Sequence, residues 1–194
     1  MAAAVAITTL PGARLFHEGQ FEGRAVRLPV QLGRRPPEAV NGKLRTFYEG
    51  LLASTRGNLM SQGAWGLCEI SGWPDNITYR NLLGWCWHKG EQRCLVVINL
   101  SERKSQGMVK VPSLDPSIRS WSLTDPMSGE IFERQGDDIA SSGLYVDLGP
   151  WGYHILYFHE QWSSKETTCR GRSACPQREV PGAGHRLATP RRPA

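Results

Sequence analysis

After Gly63 the chain breaks into short apolar runs, and that texture limits its folds more than anything else in it. Eight runs of four to eight residues, at 64–70, 81–88, 93–100, 107–111, 119–123, 130–133, 144–148 and 153–159, fill fewer than a hundred positions. Gly, Pro, Asn, Asp and Ser stand between them. These residues turn a chain by tolerating positive φ, by fixing φ, or by bonding back to the backbone. Runs so short do not sustain helices, and their regular spacing predicts an antiparallel Greek-key β-sandwich. The alternation in Tyr145-Val146-Asp147-Leu148 and across 151–158 sends one face of each strand into a core. Lys89-Gly90-Glu91-Gln92 lies between two runs as a hairpin turn.

The first 56 residues have α/β character instead. Leu10, Leu15 and Phe16, bounded by Pro11-Gly12 and Gly19, read as one buried strand running into a polar, glycine-rich loop that ends at Arg24. Residues 2–7 form a short helix-competent apolar segment. Asn41 can cap a helix whose Leu44, Phe47, Tyr48, Leu51 and Leu52 recur at three- and four-residue spacing, ending at Arg56-Gly57-Asn58. One strand, its loop and one helix make a single βα unit. A (β/α)8 barrel needs about eight such units and roughly 250 residues. We therefore expect residues 1–56 to be the remnant of a TIM-type barrel, 54–63 a linker, and 57–162 the sandwich. On this division, removing 1–56 should leave a domain that melts cooperatively.

Charge separates a third segment. Residues 163–194 hold seven Lys or Arg against two Asp or Glu, and so carry the whole formal charge of +5. These cations are scattered among Gly, Pro, Ser and Thr, a composition expected to be disordered. A nucleic-acid surface would interleave a basic face with aromatics, so no nucleic-acid partner is expected. No run approaches the ~20 apolar residues of a membrane span, and no secretory cleavage pattern stands at the start. The expected setting is cytoplasmic, with no membrane partner.

Five cysteines, an odd number, argue against a disulfide framework. Cys68, Cys86 and Cys94 sit in strand-like apolar runs as buried thiols. Cys86 and Cys94 flank the Gly90 turn symmetrically, so a cross-strand bridge stands as the alternative to two reduced core thiols. Asn76-Ile77-Thr78 and Asn99-Leu100-Ser101 match the glycosylation pattern, but without a secretion signal they carry no such meaning.

Several motifs then occur in a telling order. TLPGARLFHEGQ spans 9–20 and RAVRLPVQLGRRP 24–36, followed by the helix at 44–52. CLVVINLS at 94–101, WSLTDPMSGEIF at 121–132 and GLYVDLGPWGYH at 143–154 come later. Together they resemble the C-terminal third of the alpha-amylase family of glycoside hydrolases: its last barrel strand, the segment closing the barrel, and its C-terminal β-sandwich. The resemblance implies retaining cleavage or transfer at α-glucosidic linkages, with an α-glucan or oligosaccharide as partner of the full-length parent. Two carboxylates would do this work, one as nucleophile and one as acid/base, with a further Asp assisting. In the family these stand on barrel strands four, five and seven, the last in a His-Asp pair. This chain has His17-Glu18 and His159-Glu160 but no His-Asp. No catalytic residue carries over, and the chain alone is expected to be a scaffold without activity.

His17, Glu18 and Gln20 follow the expected strand at the barrel face where active-site loops gather. They are the candidate substrate-binding residues, against the commoner reading that they tie the loop to its neighbours. Glu18 and Glu22 as a free-standing acid/base pair have little support. Trp65, Trp73, Trp85, Trp87, Trp121 and Trp151 raise an alternative, a non-catalytic sugar-binding sandwich that stacks pyranoses on exposed indoles. Trp85 and Trp87, on one strand face, are its test pair, although packing in the core is the commoner fate of such rings. His88, His154 and His159 lack metal-ligand spacing and no glycine-rich phosphate loop follows a strand, so neither metal nor cofactor is expected.

Overall fold

In the computed structural model, residues 1–26, 31, 36–112, 114, 115 and 117–161 are described. The basic segment at 163–194 lies outside them. Among the described residues nine strands build two antiparallel sheets. β1 (Ala64–Leu67), β3 (Leu82–Lys89), β4 (Gln92–Asn99), β6 (Ser120–Thr124), β7 (Ile131–Gln135) and β9 (Tyr153–Glu160) form the larger, in the order β1-β3-β4-β9-β6-β7. β2 (Ile70–Ser71), β5 (Ser105–Val109) and β8 (Leu144–Leu148) form the smaller, in the order β2-β5-β8. The architecture is mostly β, a sandwich of the expected kind. β9, the last of these strands in the chain, lies between β4 and β6 rather than at an edge.

The β3–β4 hairpin turns on Gly90, whose φ of +58° falls where a two-residue loop favours glycine. Its register pairs Cys86 with Leu95 and Trp87 with Cys94. Cys86 and Cys94 are thus one residue out of step and point to opposite faces of the sheet. The cross-strand bridge is ruled out by that offset, and both are free thiols, as is Cys68. Burial pushes the Cys86 thiol up to about 11 and Cys68 up to about 12, and raises Cys94 well above its ordinary value.

The larger sheet has two covered faces. One packs on the smaller sheet through Leu82, Leu95, Val97, Trp121, Leu123, Leu156 and Phe158, against Val109, Leu144, Val146 and Leu148. The other carries Trp85, Trp87, Cys94, Val96, Ile98 and Ile155, which lie under three helices: α1 (Ala2–Thr9), α2 (Gly42–Ser54) and α3 (Leu59–Gln62). β4 is consequently buried without a break from Cys94 to Asn99. Burial on both faces is why its sequence is a continuous apolar run and not an alternating one. Met1–Trp162 forms one compact unit.

Two hydrogen bonds tie the helical layer to the sheet at points a helix leaves needy. The last carbonyls of a helix have no partner within it. Trp87 Nε1 donates to the carbonyl of Thr9, the last residue of α1, at 2.7 Å, and the Tyr157 hydroxyl donates to the carbonyl of Ser54, the last of α2, at 2.6 Å. α2 begins as expected, with Asn41 Oδ1 accepting from the Leu44 N–H at 3.1 Å, and buries Phe47, Tyr48 and Leu51.

Three expectations need correction. Residues 10–16 form no strand, and Leu15 is 85% exposed. A strand exists only through its ladder, and among the described residues no strand pairs with this segment. The stretch at 54–63 is not a bare linker, since α3 lies within it and buries Leu59 and Met60. The run at 64–70 is split, giving β1 to one sheet and β2 to the other.

Asn99 explains its own sequon. Fully buried, its amide nitrogen donates to the carbonyls of Arg103 at 2.7 Å and Gly149 at 2.8 Å, while Oδ1 accepts from the Ser101 N–H at 3.1 Å. It binds the end of β4 to the turn before β9. Asn76 likewise caps the 3-10 turn Ile77–Asn81, accepting from the Thr78 N–H at 3.0 Å. Among the described residues no helix is long and apolar enough to cross a membrane.

Candidate functional site

The loop at 17–24 owes its shape to glycines. Gly19 and Gly23 adopt φ of +83° and +69°, and the Arg24 N–H returns to the Gly19 carbonyl at 2.9 Å. At Gly23 a side chain would also press on Leu44 and Asn41, which lie 3.0 and 3.1 Å from where a Cβ would stand. The loop thus lies close against the start of α2, and the Asn41 N–H donates to the Glu22 carbonyl at 2.9 Å. Beneath it Phe16, Phe21 and Tyr48 form a cluster with ring centroids 4.8 to 6.2 Å apart.

Two of the three candidate residues, His17 and Glu18, line a shallow depression of about 280 Å³ here with Phe16, Phe21, Glu22 and Arg24, and Gln20 stays outside its wall. Gln20 is half-buried and its amide donates to the Tyr48 hydroxyl at 2.9 Å. His17 is exposed, its Nδ1 3.2 Å from the Glu18 carbonyl oxygen, and its N–H approaches Gln20 Oε1 at 3.4 Å. Glu18 lies 3.7 Å from the Arg24 guanidinium. These contacts run inside the loop or to α2, which is how such residues hold a loop in place.

Trp85 and Trp87 do not present rings to a ligand in this chain. They are 0% and 4% exposed, covered by the helical layer. Trp121 is buried between the sheets and Trp65 half-buried, which leaves Trp73 and Trp151 as the exposed indoles among the described residues. A larger cleft of about 570 Å³ opens where the α2–α3 turn meets the ends of β4 and β9. Its wall mixes Arg56 and Arg93 with Glu91 and Glu160, so neither sign of charge prevails. Among the described residues no group of three His, Cys, Asp or Glu is placed to hold a metal.

Sequence reasoning missed one polar pair, a buried carboxylate with a half-buried imidazole. Asp125, 1% exposed, sits 2.7 Å from His154 Nδ1 and accepts from the Met127 N–H at 2.9 Å. The pair rigidifies the β6–β7 turn, whose Met127 reaches Ser54 of α2. The Asp-Pro step at 125–126 was its sequence signal, a turn residue whose side chain bonds forward to the backbone.

No protein-family model matches the chain, and no curated protein matches it in sequence. Solved structures do match. The maltogenic alpha-amylase AmyB of Thermotoga neapolitana aligns over 83% of this chain and 36% of its own, with a TM-score of 0.64 and 13% identity. The alpha-amylase of Geobacillus thermoleovorans, solved with acarbose, aligns over 83% and 33%, with a TM-score of 0.63 and 9% identity. An Anoxybacillus alpha-amylase aligns over 84% and 32%, again at 0.63 and 9%. The likeness is one of fold. This chain spans about a third of the length of these alpha-amylase structures.

Proposed function

We propose that the chain is the C-terminal part of an alpha-amylase-type glycoside hydrolase that acts on α-glucosidic linkages in cytoplasmic carbohydrate metabolism. Residues 1–56 are the counterpart of the closing βα unit of a (β/α)8 barrel, with 10–16 lacking the strand partners such a barrel supplies, and 57–162 are the sandwich that buttresses it. The carboxylates that break the glycosidic bond belong to other barrel units, so this segment is support and hydrolyses nothing alone. The α-glucan is the partner of the whole enzyme.

The observation that carries this reading is the fold likeness, which covers most of this chain and only a third of each amylase. The surface of residues 1–40 agrees with it. Ile7, Leu15, Val26 and Val40 are 45 to 85% exposed, bare apolar side chains of the kind that neighbouring barrel units would cover. The test is direct. Purified chain incubated with starch or maltooligosaccharides should release no reducing sugar above a blank, and sustained release proportional to protein would refute the assignment.

A further inference from the structure

A sheet edge is a row of backbone groups open to a further strand, and folded proteins guard it with charge, brevity or cover. Among the described residues, three of the four edges of this sandwich are guarded. β7 carries Glu133 and Arg134, β2 is two residues long, and β8 holds Asp147 in its ion pair with Lys104 at 2.9 Å. β1 has none of these devices. It reads Ala64-Trp65-Gly66-Leu67, and both of its ends are exposed. The register against β3 fixes which groups it offers. The Cys68 N–H donates to the Gly84 carbonyl at 2.9 Å, one step beyond the pairing of Leu67 with Trp85. Bonding to β3 therefore falls on Ala64, Gly66 and Cys68, and the N–H and C=O groups of Trp65 and Leu67 point away from the sheet. Among the described residues no hydrogen bond reaches those outward groups.

The side chains of this edge are apolar. Trp65 lies across from Trp87 and Leu67 from Trp85, so all four share the face that carries the helical layer. Leu67 is nevertheless 61% exposed, where Trp85 beside it is fully covered. A hollow of about 570 Å³ opens next to Trp65, with Pro11, Arg14, Met60 and Trp87 in its wall. We propose that a second copy of this chain pairs with the first through β1, about a two-fold axis at Gly66, joining two larger sheets into one. An antiparallel strand can be its own complement under such an axis. Centring on Gly66 sets Trp65 opposite Leu67 of the second copy, and Leu67 opposite its Trp65. Every outward N–H then meets an outward carbonyl, and the two Trp–Leu pairs lie on the face where the hollow opens. On the other face Gly66 meets Gly66, where an added Cβ would find nothing within 4 Å. The neighbouring axes fail. One at Trp65 would pair Leu67 with Gly63, whose N–H is already given to the Leu59 carbonyl at 2.8 Å. One at Leu67 would pair Trp65 with Glu69, whose carbonyl is turned to the smaller sheet and accepts from the Lys110 N–H at 2.9 Å. Four backbone bonds and two apolar pairs make a small interface, of the weak and concentration-dependent class.

Sedimentation velocity of the full chain under reducing conditions, from micromolar to millimolar concentration, reads the pairing directly. The average mass should climb from that of one chain toward that of two and no further, since the axis consumes the β1 edge of each copy. Leu67→Pro removes an outward N–H that takes no part in the β3 ladder, and Leu67→Lys sets a charge on the edge. Each should weaken association about tenfold or more, with near-UV spectrum and melting temperature matching the parent. Ile131→Lys, on the β7 edge and 64% exposed, should leave association unchanged. Gly66→Cys tests the axis, because the two substituted positions would face each other as a non-hydrogen-bonded pair, within reach of a disulfide. Oxidised glutathione should then link two chains through those positions, as mapped by peptide mass analysis, and should fail to do so once Leu67→Lys is added. A chain that stays monomeric at every concentration, or a dimer undiminished by both Leu67 variants, would overturn the pairing and leave β1 to a strand of another polypeptide. A dimer in which Gly66→Cys forms no such link would overturn the axis. None of these outcomes bears on starch hydrolysis, so the two proposals fail separately.

Discussion

Consider the chain shortened to begin at Gly57, without α1, the loop at 17–24 and α2. That cut uncovers the outer face of the larger sheet, where Trp85, Trp87, Val96, Ile98 and Ile155 are each 0 to 4% exposed. Full burial of a large apolar side chain stabilises by about 1.5–3 kcal/mol. If the deleted layer supplies half of that cover, the five side chains together lose about 4–8 kcal/mol. The hydrogen bonds from Trp87 to Thr9 and from Tyr157 to Ser54 vanish as well, at about 1 kcal/mol each. The sum is comparable with the whole stability of a domain, about 5–15 kcal/mol. The shortened chain should therefore keep far-UV β signal but lose near-UV aromatic signal, bind a hydrophobic dye, and melt without a sharp transition. This is the reverse of what the sequence division led us to expect. A sharp melt within a few degrees of the full chain, with near-UV spectrum intact, would show that the helical layer is dispensable and that the shared-core argument is mistaken.

Two further outcomes follow from buried polar groups. Tyr157→Phe keeps the ring but leaves the Ser54 carbonyl without its donor, and should cost about 1–3 kcal/mol in a urea melt with no change in m-value; a midpoint identical to the parent would show the bond to be idle. Cys86, with its thiol raised to about 11, should be about a thousandth ionised at pH 8, some two orders of magnitude below a free cysteine. Brief iodoacetamide labelling followed by peptide mass analysis should leave Cys86 and Cys94 unmodified in folded protein and fully modified in urea, and rapid labelling of either in the folded state would contradict their burial.

Much of the sandwich was legible because each strand carries its own signal. The run at 144–148 is β8 to the residue, and 81–88 and 93–100 fall within one residue of β3 and β4. What sequence pattern missed depends on partners. The apolar residues at 10–16 have strand composition, yet strandedness is a relation between two segments and theirs is lacking among the described residues. The helix α4 (Gly136–Ser142) hides because it is polar and anchored in the core by Ile139, although Asp137 and Asp138 in its first turn and Gly143 beyond its end, at φ +89°, are proper helix punctuation. Trp85 and Trp87 show the same limit at the site level. Alternation says they share a face, but only the distant residues of α1 and α2 decide that the face is covered.

The place of β9 has a consequence for how the polypeptide is made. As the ribosome delivers the chain, β1, β3 and β4 can zip into one ribbon and β6 with β7 into another, but the piece that joins them is synthesised afterwards. Until residues 153–160 emerge, β4 and β6 each offer an open flank, and such flanks invite strands from neighbouring nascent molecules. A message truncated shortly before Tyr153 would thus yield two sticky half-sheets, whereas one stopped just after Glu160 holds the keystone.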